Sequence, residues 1–322
     1  MTQNENKVSP QTNLLGQGFA WFTVALAVFI ILWGAWVRIS HSGDGCGTHW
    51  PLCHNEFIPS TPSEKTWTEW FHRASSGVFG LLVLGLTVWG WRVRLAQPGF
   101  SWWTRWSLVF TISEALLGAL LVKWQLVAGN TEPMRVLIMG AHLTNSMLLV
   151  LSLTKVALEL HYPSHLQVME TWIEPGWDRL FFWGLPVFVF IVAWGGPLAA
   201  LSRLVDSAHQ GVLEGLRADF STKSHYLIRL RWLHPALGLI VTSFFIIFGW
   251  EWSEKLKSSY RGLWRGLFAV LGGVSLVGIS LILLKSWVGL KLLHILLVYL
   301  LWIYFWSIHH ISRYGHASKK IS

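Results

Sequence analysis

Thr66-Trp67-Thr68-Glu69-Trp70-Phe71-His72-Arg73, followed without interruption by the apolar run Ala74 to Trp91, sets an acid, an imidazole and a guanidinium at the mouth of a segment long enough to cross a bilayer. At i, i+3, Glu69 and His72 share a helix face. An ionisable side chain standing where hydrocarbon begins is a functional candidate by default. The competing reading pairs Glu69 with Arg73 at i, i+4 and leaves His72 a packed core histidine. The stretch alone does not choose between them.

The rest of the chain is built in the same way. Of its 322 residues 53% are hydrophobic and only 13% charged, and the mean hydropathy is +0.46, which is too apolar for a soluble domain. Apolar runs of bilayer length fall at about 18–38, 69–91, 104–123, 134–157, 178–201, 228–250, 264–284 and 287–308. The expected fold is therefore an all-α integral membrane protein with eight transmembrane helices. A net charge of +9 raises the possibility of nucleic acid, but the basic residues sit at the ends of apolar runs rather than along one face. They flank membrane, and nucleic acid is set aside. Many of the 23 Trp, among them Trp67, Trp70, Trp91, Trp102, Trp103, Trp124 and Trp287, lie at the same edges, where an amphipathic ring prefers the interface. Met1 to Leu15 is polar, with neither the apolar core of a signal peptide nor the Arg content of a transit peptide. The first span is expected to enter the membrane and keep its leader, which favours a bacterial plasma membrane.

Lys and Arg divide almost evenly between the two sides, so they do not orient the chain. The two cysteines do better. Cys46 and Cys53 lie in the first polar loop, beside Pro51 and a Gly43-Asp44-Gly45 turn, and two thiols in a short exposed loop suit a disulfide on the oxidising face. Both termini are then cytoplasmic. The spacing leaves open whether the pair is a staple or exchanges with a partner thiol.

The apolar runs also divide into two sets of four. Trp33-Gly34-Ala35-Trp36 ends the first span and Trp194-Gly195-Gly196-Pro197 lies in the fifth, while Leu120 to Lys123 closes the third and Leu283-Leu284-Lys285 the seventh. The second and fourth spans of each set carry one early histidine: His72 and His142, then His234 and His294. The expected organisation is two pseudo-equivalent four-helix bundles, residues 1–158 and 178–322, joined by a cytoplasmic linker at 159–177. With cytoplasmic termini, the four histidines share one layer within roughly 12 Å of the outer surface. Paired imidazoles from neighbouring helices are what a six-coordinate haem iron needs, with the porphyrin in the bundle core. Zinc fits poorly, because a structural site wants four ligands converging in one cluster. Arg38, Arg73, Arg135, Arg229 and Arg231 stand at the outer ends of spans, where guanidinium groups can hold haem propionates or snorkel to lipid phosphates.

One position separates the halves. Three residues before His72 stands Glu69, and three before His234 stands Arg231. Only the first bundle has a carboxylate beside its candidate ligand, able to take or give a proton. The other bundle, with a cation in that place, has the character of a plain electron-transfer site.

These residues resemble the haem A synthases of terminal oxidase assembly. The likeness runs from Gly34-Ala35-Trp36-Val37-Arg38 and Ser42-Gly43, through Cys46 and Trp50-Pro51-Leu52-Cys53, to Glu69-Trp70-Phe71-His72-Arg73, Ala141-His142-Leu143, Leu233-His234 and Leu293-His294. It implies oxidation of the C8 methyl group of haem O to the formyl group of haem A. It further implies that His72 and His142 hold the substrate haem, that His234 and His294 ligate a haem b cofactor, and that Glu69 assists the oxidation. The implied partners are the lipid bilayer, haem O and a haem O synthase, with the electron acceptor and any homo-oligomer left open. Two departures stand out. The loop Ser202 to Ser224 lacks the second cysteine pair that some members have, and Gly47-Thr48-His49 replaces the usual Pro-Asp-like residues.

Two other readings remain. A di-haem b-type cytochrome passing electrons between quinol and a partner explains the histidines but not the contrast of Glu69 with Arg231. A repeat-built transporter predicts matched Gly or Pro breaks, yet Pro186 and Pro197 in the fifth span have no counterparts in the first.

Overall fold

The computed structural model describes residues 10–60, 62–164, 183–205, 212–254, 258–284 and 287–314. Its long helices are α1 (Pro10–Ile39), α2 (Glu64–Arg92), α3 (Pro98–Lys123), α4 (Pro133–His161), α5 (Leu185–Leu201), α6 (Leu233–Glu254), α7 (Ser258–Leu283) and α8 (Val288–Tyr314). Eight spans in these helices are long and apolar enough to cross a membrane, so the protein is an all-helical, multi-pass membrane protein. Most of the expected linker and the start of the expected fifth span, 165–182, lie outside the described residues, as does Lys285.

Local chemistry sets the helix starts. Ser63 caps α2 by accepting the Thr66 amide at 3.2 Å, satisfying one of the orphan N–H groups of a first turn. Pro98 and Pro133 open α3 and α4, where a missing N–H costs nothing. The sixth span begins differently. A short helix, Tyr226–Leu230, turns at Arg231 and Trp232 before α6 starts at Leu233.

Packing joins the helices in two sets. α1 packs on α2, α2 on α3, α3 on α4 and α4 on α1; in the other set α5 packs on α6, α6 on α7 and α7 on α8. The sets meet where α4 touches α5 and α8, and α1 touches α8. α4 is the central element, with half of its most apolar window buried against 6% in α3. Across the junction Ser146 and Tyr299 hydroxyls meet at 2.6 Å, and Trp302 Nε1 donates to the Met147 carbonyl at 2.9 Å. Tyr299 and Trp302 belong to the same buried cluster as Val24, Val83 and Met147. Large apolar side chains that remain exposed, such as Leu81, Val109, Ile112, Leu137, Ile240 and Leu276, lie along the spans. That is the surface that hydrocarbon solvates.

Candidate functional site

α2 carries the opening stretch into the protein. Glu69 is buried, and both its oxygens are engaged: Oε1 accepts from Arg73 Nε at 3.1 Å and Nη2 at 2.5 Å, and Oε2 accepts the Cys46 amide at 2.8 Å. Arg73 Nη1 also donates to the carbonyls of His49 and Leu52, at 2.5 and 2.6 Å. Cys46 and Cys53 form a disulfide with Cα atoms 4.5 Å apart, and both are buried. The Glu69–Arg73 pair therefore clamps the disulfide loop onto the outer end of α2. The i, i+4 ion pair of the sequence reading is present, and His72 stands one turn deeper on the same helix.

The four histidines are half-buried, and each faces a glycine of the preceding span. A Cβ on Gly34 of α1 would lie 2.8 Å from His72 Cε1, and one on Gly195 of α5 would lie 2.9 Å from His234 Cβ. In the outer pairs a Cβ on Gly118 of α3 would reach His142 Cε1 at 4.0 Å, and one on Gly278 of α7 would reach His294 Cε1 at 3.3 Å. Glycine lets each odd span approach closely enough to wall an imidazole.

The imidazoles come together in pairs. The rings of His234 and His294 have centroids 6.2 Å apart. Two metal–imidazole bonds of about 2 Å, with each ring centre about 1 Å behind its nitrogen, set opposed ligands on one metal about 6 Å apart, so this pair fits a shared iron. His72 and His142 lie within electrostatic reach of each other. The outer nitrogens differ in partner. His234 Nδ1 meets the Val192 carbonyl at 2.8 Å, whereas His142 Nδ1 stands 3.1 Å from Oε1 of Glu114. Glu114 was missed in the sequence. A lone carboxylate inside the apolar run 104–123 is the signal that could have found it.

The candidate propionate cations separate. Arg73 is committed to Glu69 and the loop. Arg135 donates to the carbonyls of Ala128 and Asn130 at 2.7 and 2.6 Å, and Arg231 pairs with Asp219 at 2.7 Å. Arg229 is exposed on its short helix. Arg38 lies within reach of Arg203 and Arg135, and Lys291 within reach of Arg38 and Arg203, a cationic cluster spanning α1, α4, α8 and the segment after α5. Arg203 and Lys291 were not singled out in the sequence, because each is an ordinary span-end cation until the fold brings them together.

Comparison with known proteins identifies the family. The COX15-CtaA family, described as cytochrome oxidase assembly proteins, matches residues 17–306. A Thermus thermophilus protein named protoheme IX farnesyltransferase is 32% identical over 289 residues, covering 89% of this chain and 47% of that protein. Exiguobacterium sibiricum heme A synthase is 29% identical over 252 residues, 71% of this chain and 80% of its own, and Bacillus licheniformis heme A synthase 27% over 263 residues, 79% and 81%. The chain spans about half the length of the Thermus relative and most of the other two. With the family matched across all the spans but the outermost ends, this chain belongs to the COX15-CtaA family of cytochrome oxidase assembly proteins.

Proposed function

We propose that this protein is a haem A synthase, oxidising the C8 methyl group of haem O to a formyl group within a bacterial plasma membrane. The observation that carries the reading is an asymmetry. Two similarly walled histidine pairs sit in the two sets of helices; among the described residues Glu69 stands one turn before His72 where Arg231 stands before His234, and of the four imidazoles only His142 has a carboxylate, Glu114, within 3.1 Å. The two sets are then pseudo-equivalent bundles, 1–158 and 178–322, with unequal roles. His72 and His142 hold substrate haem O, and His234 and His294 hold haem b, which when bound supplies one-electron redox chemistry.

The reaction would take the methyl group through two successive oxidations, each adding the oxygen of one water, releasing two protons and passing two electrons to an external acceptor, to an alcohol and then to a hydrated aldehyde that loses water. The chain's own residues position and protect. The Glu69–Arg73 clamp holds the disulfide loop over the outer end of the first bundle, limiting water there. Glu69 manages protons or stabilises positive charge developing on the substrate. The cationic cluster around Arg38, Arg203 and Lys291 suits the propionates. The disulfide supports an oxidising outer face and cytoplasmic termini. The Thermus relatives are named for farnesyl transfer to protohaem IX, and the region similar to this chain is under half of each. That supports a farnesylated haem as substrate and a haem-farnesylating enzyme as its supplier.

Glu69→Gln keeps a hydrogen-bonding group and removes the charge. It is expected to leave haem bound and to stall product formation, read as haem O retained without haem A in an acidic extract. A normal haem A yield from this variant would sink the catalytic role.

A further inference from the structure

Glu114 is the only Asp or Glu in the 26 residues of α3. Its carboxylate is held by a small polar network in an otherwise apolar span. Oε2 accepts from Asn145 Nδ2 at 2.5 Å. The same Nδ2 reaches the Phe110 carbonyl at 2.8 Å, while Asn145 Oδ1 accepts the Ser113 hydroxyl at 2.6 Å. Two acceptors on the nitrogen and a donor on the oxygen fix the orientation of the amide. One oxygen of Glu114 is thereby pinned, and the other lies 3.1 Å from His142 Nδ1. The ring N–H is not aligned on that oxygen in this structure. Such bonds commonly tighten when a site fills.

Among the described residues, none of the other three histidines has such a partner. His234 Nδ1 meets a backbone carbonyl, and His294 lies within reach of the Val274 carbonyl while its Nδ1 makes no hydrogen bond. His72 Nδ1 is buried with no hydrogen-bond partner among them. Glu114 precedes Gly118 by one helical turn, as Val274 precedes Gly278, and those are the glycines that face His142 and His294. A carboxylate oxygen therefore stands in the first bundle where the other offers a backbone carbonyl.

We propose that Glu114 is a positioning residue for the first histidine pair: it accepts the Nδ1–H of His142, fixes the tautomer that leaves Nε2 free to ligate iron, and makes His142 the most electron-donating of the four imidazoles. A carboxylate behind a ligating histidine orients the ring and raises its basicity. A more basic ligand favours the oxidised iron, so the first haem has a lower reduction potential than a carbonyl-backed histidine would give it. Asn145, oriented by Ser113, acts through Glu114 as a competing donor that draws on the carboxylate from its other oxygen. The inference rests on the reading that His72 and His142 hold a haem.

A spectroscopic redox titration of the purified full-length protein, co-expressed with a haem O source, tests both layers separately. His142→Ala identifies the component of the first pair by removing its low-spin signal; if no component is lost, the underlying haem assignment fails, and this inference with it. Given that assignment, Glu114→Gln is expected to raise the midpoint potential of that component alone, with haem retained. Asn145→Ala, which removes a donor competing for the carboxylate, is expected to lower it. An unchanged potential in Glu114→Gln, equal movement of both haem components, or shifts of the same sign in the two variants would overturn the role. Should Glu114→Gln not accumulate in membranes, the sign of the Asn145→Ala shift decides, a fall supporting the role and no change or a rise overturning it.

Discussion

At the scale of single residues, the glycines opposite the histidines make a graded prediction. Alanine at Gly195 sets a methyl group 2.9 Å from His234 Cβ and 3.1 Å from its Cα, atoms that cannot swing aside. Overpacking of this kind costs about 1–3 kcal/mol. Alanine at Gly34 meets the end of the His72 ring, which can rotate, and alanine at Gly118 meets only ordinary contact at 4.0 Å. Haem content per polypeptide is expected to fall most in Gly195→Ala, less in Gly34→Ala, and to stay at the wild-type level in Gly118→Ala. Equal content in all three would break the link between these walls and the sites. The histidines themselves were legible in the sequence, because their recurrence in alternate spans is a pattern along the chain. Their outer partners were not: Val192 is 42 residues from His234, and only the fold brings such a carbonyl to an imidazole. Glu114 is legible as a lone carboxylate in an apolar run, but its contact with His142 is not.

At the scale of elements, α2 and the loop before it act as one unit. Arg73 spends its guanidinium on Glu69 and on two loop carbonyls, so Arg73→Ala leaves a buried carboxylate supported by the Cys46 amide alone. Removing one partner of a buried pair costs about 3–5 kcal/mol. Arg73→Ala is expected to lower the denaturation temperature in detergent clearly, and Arg73→Lys, which keeps charge but loses the fork, by less; a melting curve like wild type for Arg73→Ala would contradict the clamp. The stretch first gave two exclusive readings, an ion pair or a functional acid. The structure makes the ion pair the means by which the acid is fixed against the disulfide loop. Helix existence was clear from hydropathy, whereas α4 runs on to His161 and the sixth span bends at Arg231, since hydropathy does not register a turn between two apolar pieces.

At the scale of the whole molecule, the two sets of helices are joined through α4 and α8, and a side chain at that seam should matter to both sites. Trp302 is fully buried there, donating to the Met147 carbonyl and packing on Phe190 with ring centroids 5.0 Å apart. Trp302→Ala is expected to cost about 3–5 kcal/mol and to reduce both haem components together; loss confined to one would show that the sets are stable independently. Which helix faces meet at the seam was not legible in the sequence, because lipid-facing and helix-facing surfaces are equally apolar and periodicity does not separate them. The central claim, that one bundle transforms a haem while the other serves it, has a direct measurement. The protein is purified from membranes that also contain a haem O source, and its pigments are extracted and separated. The account predicts haem b together with haem A, and with Glu69→Gln haem b together with unconverted haem O. Haem b alone in the wild-type protein, with haem O present in the same membranes, would contradict it.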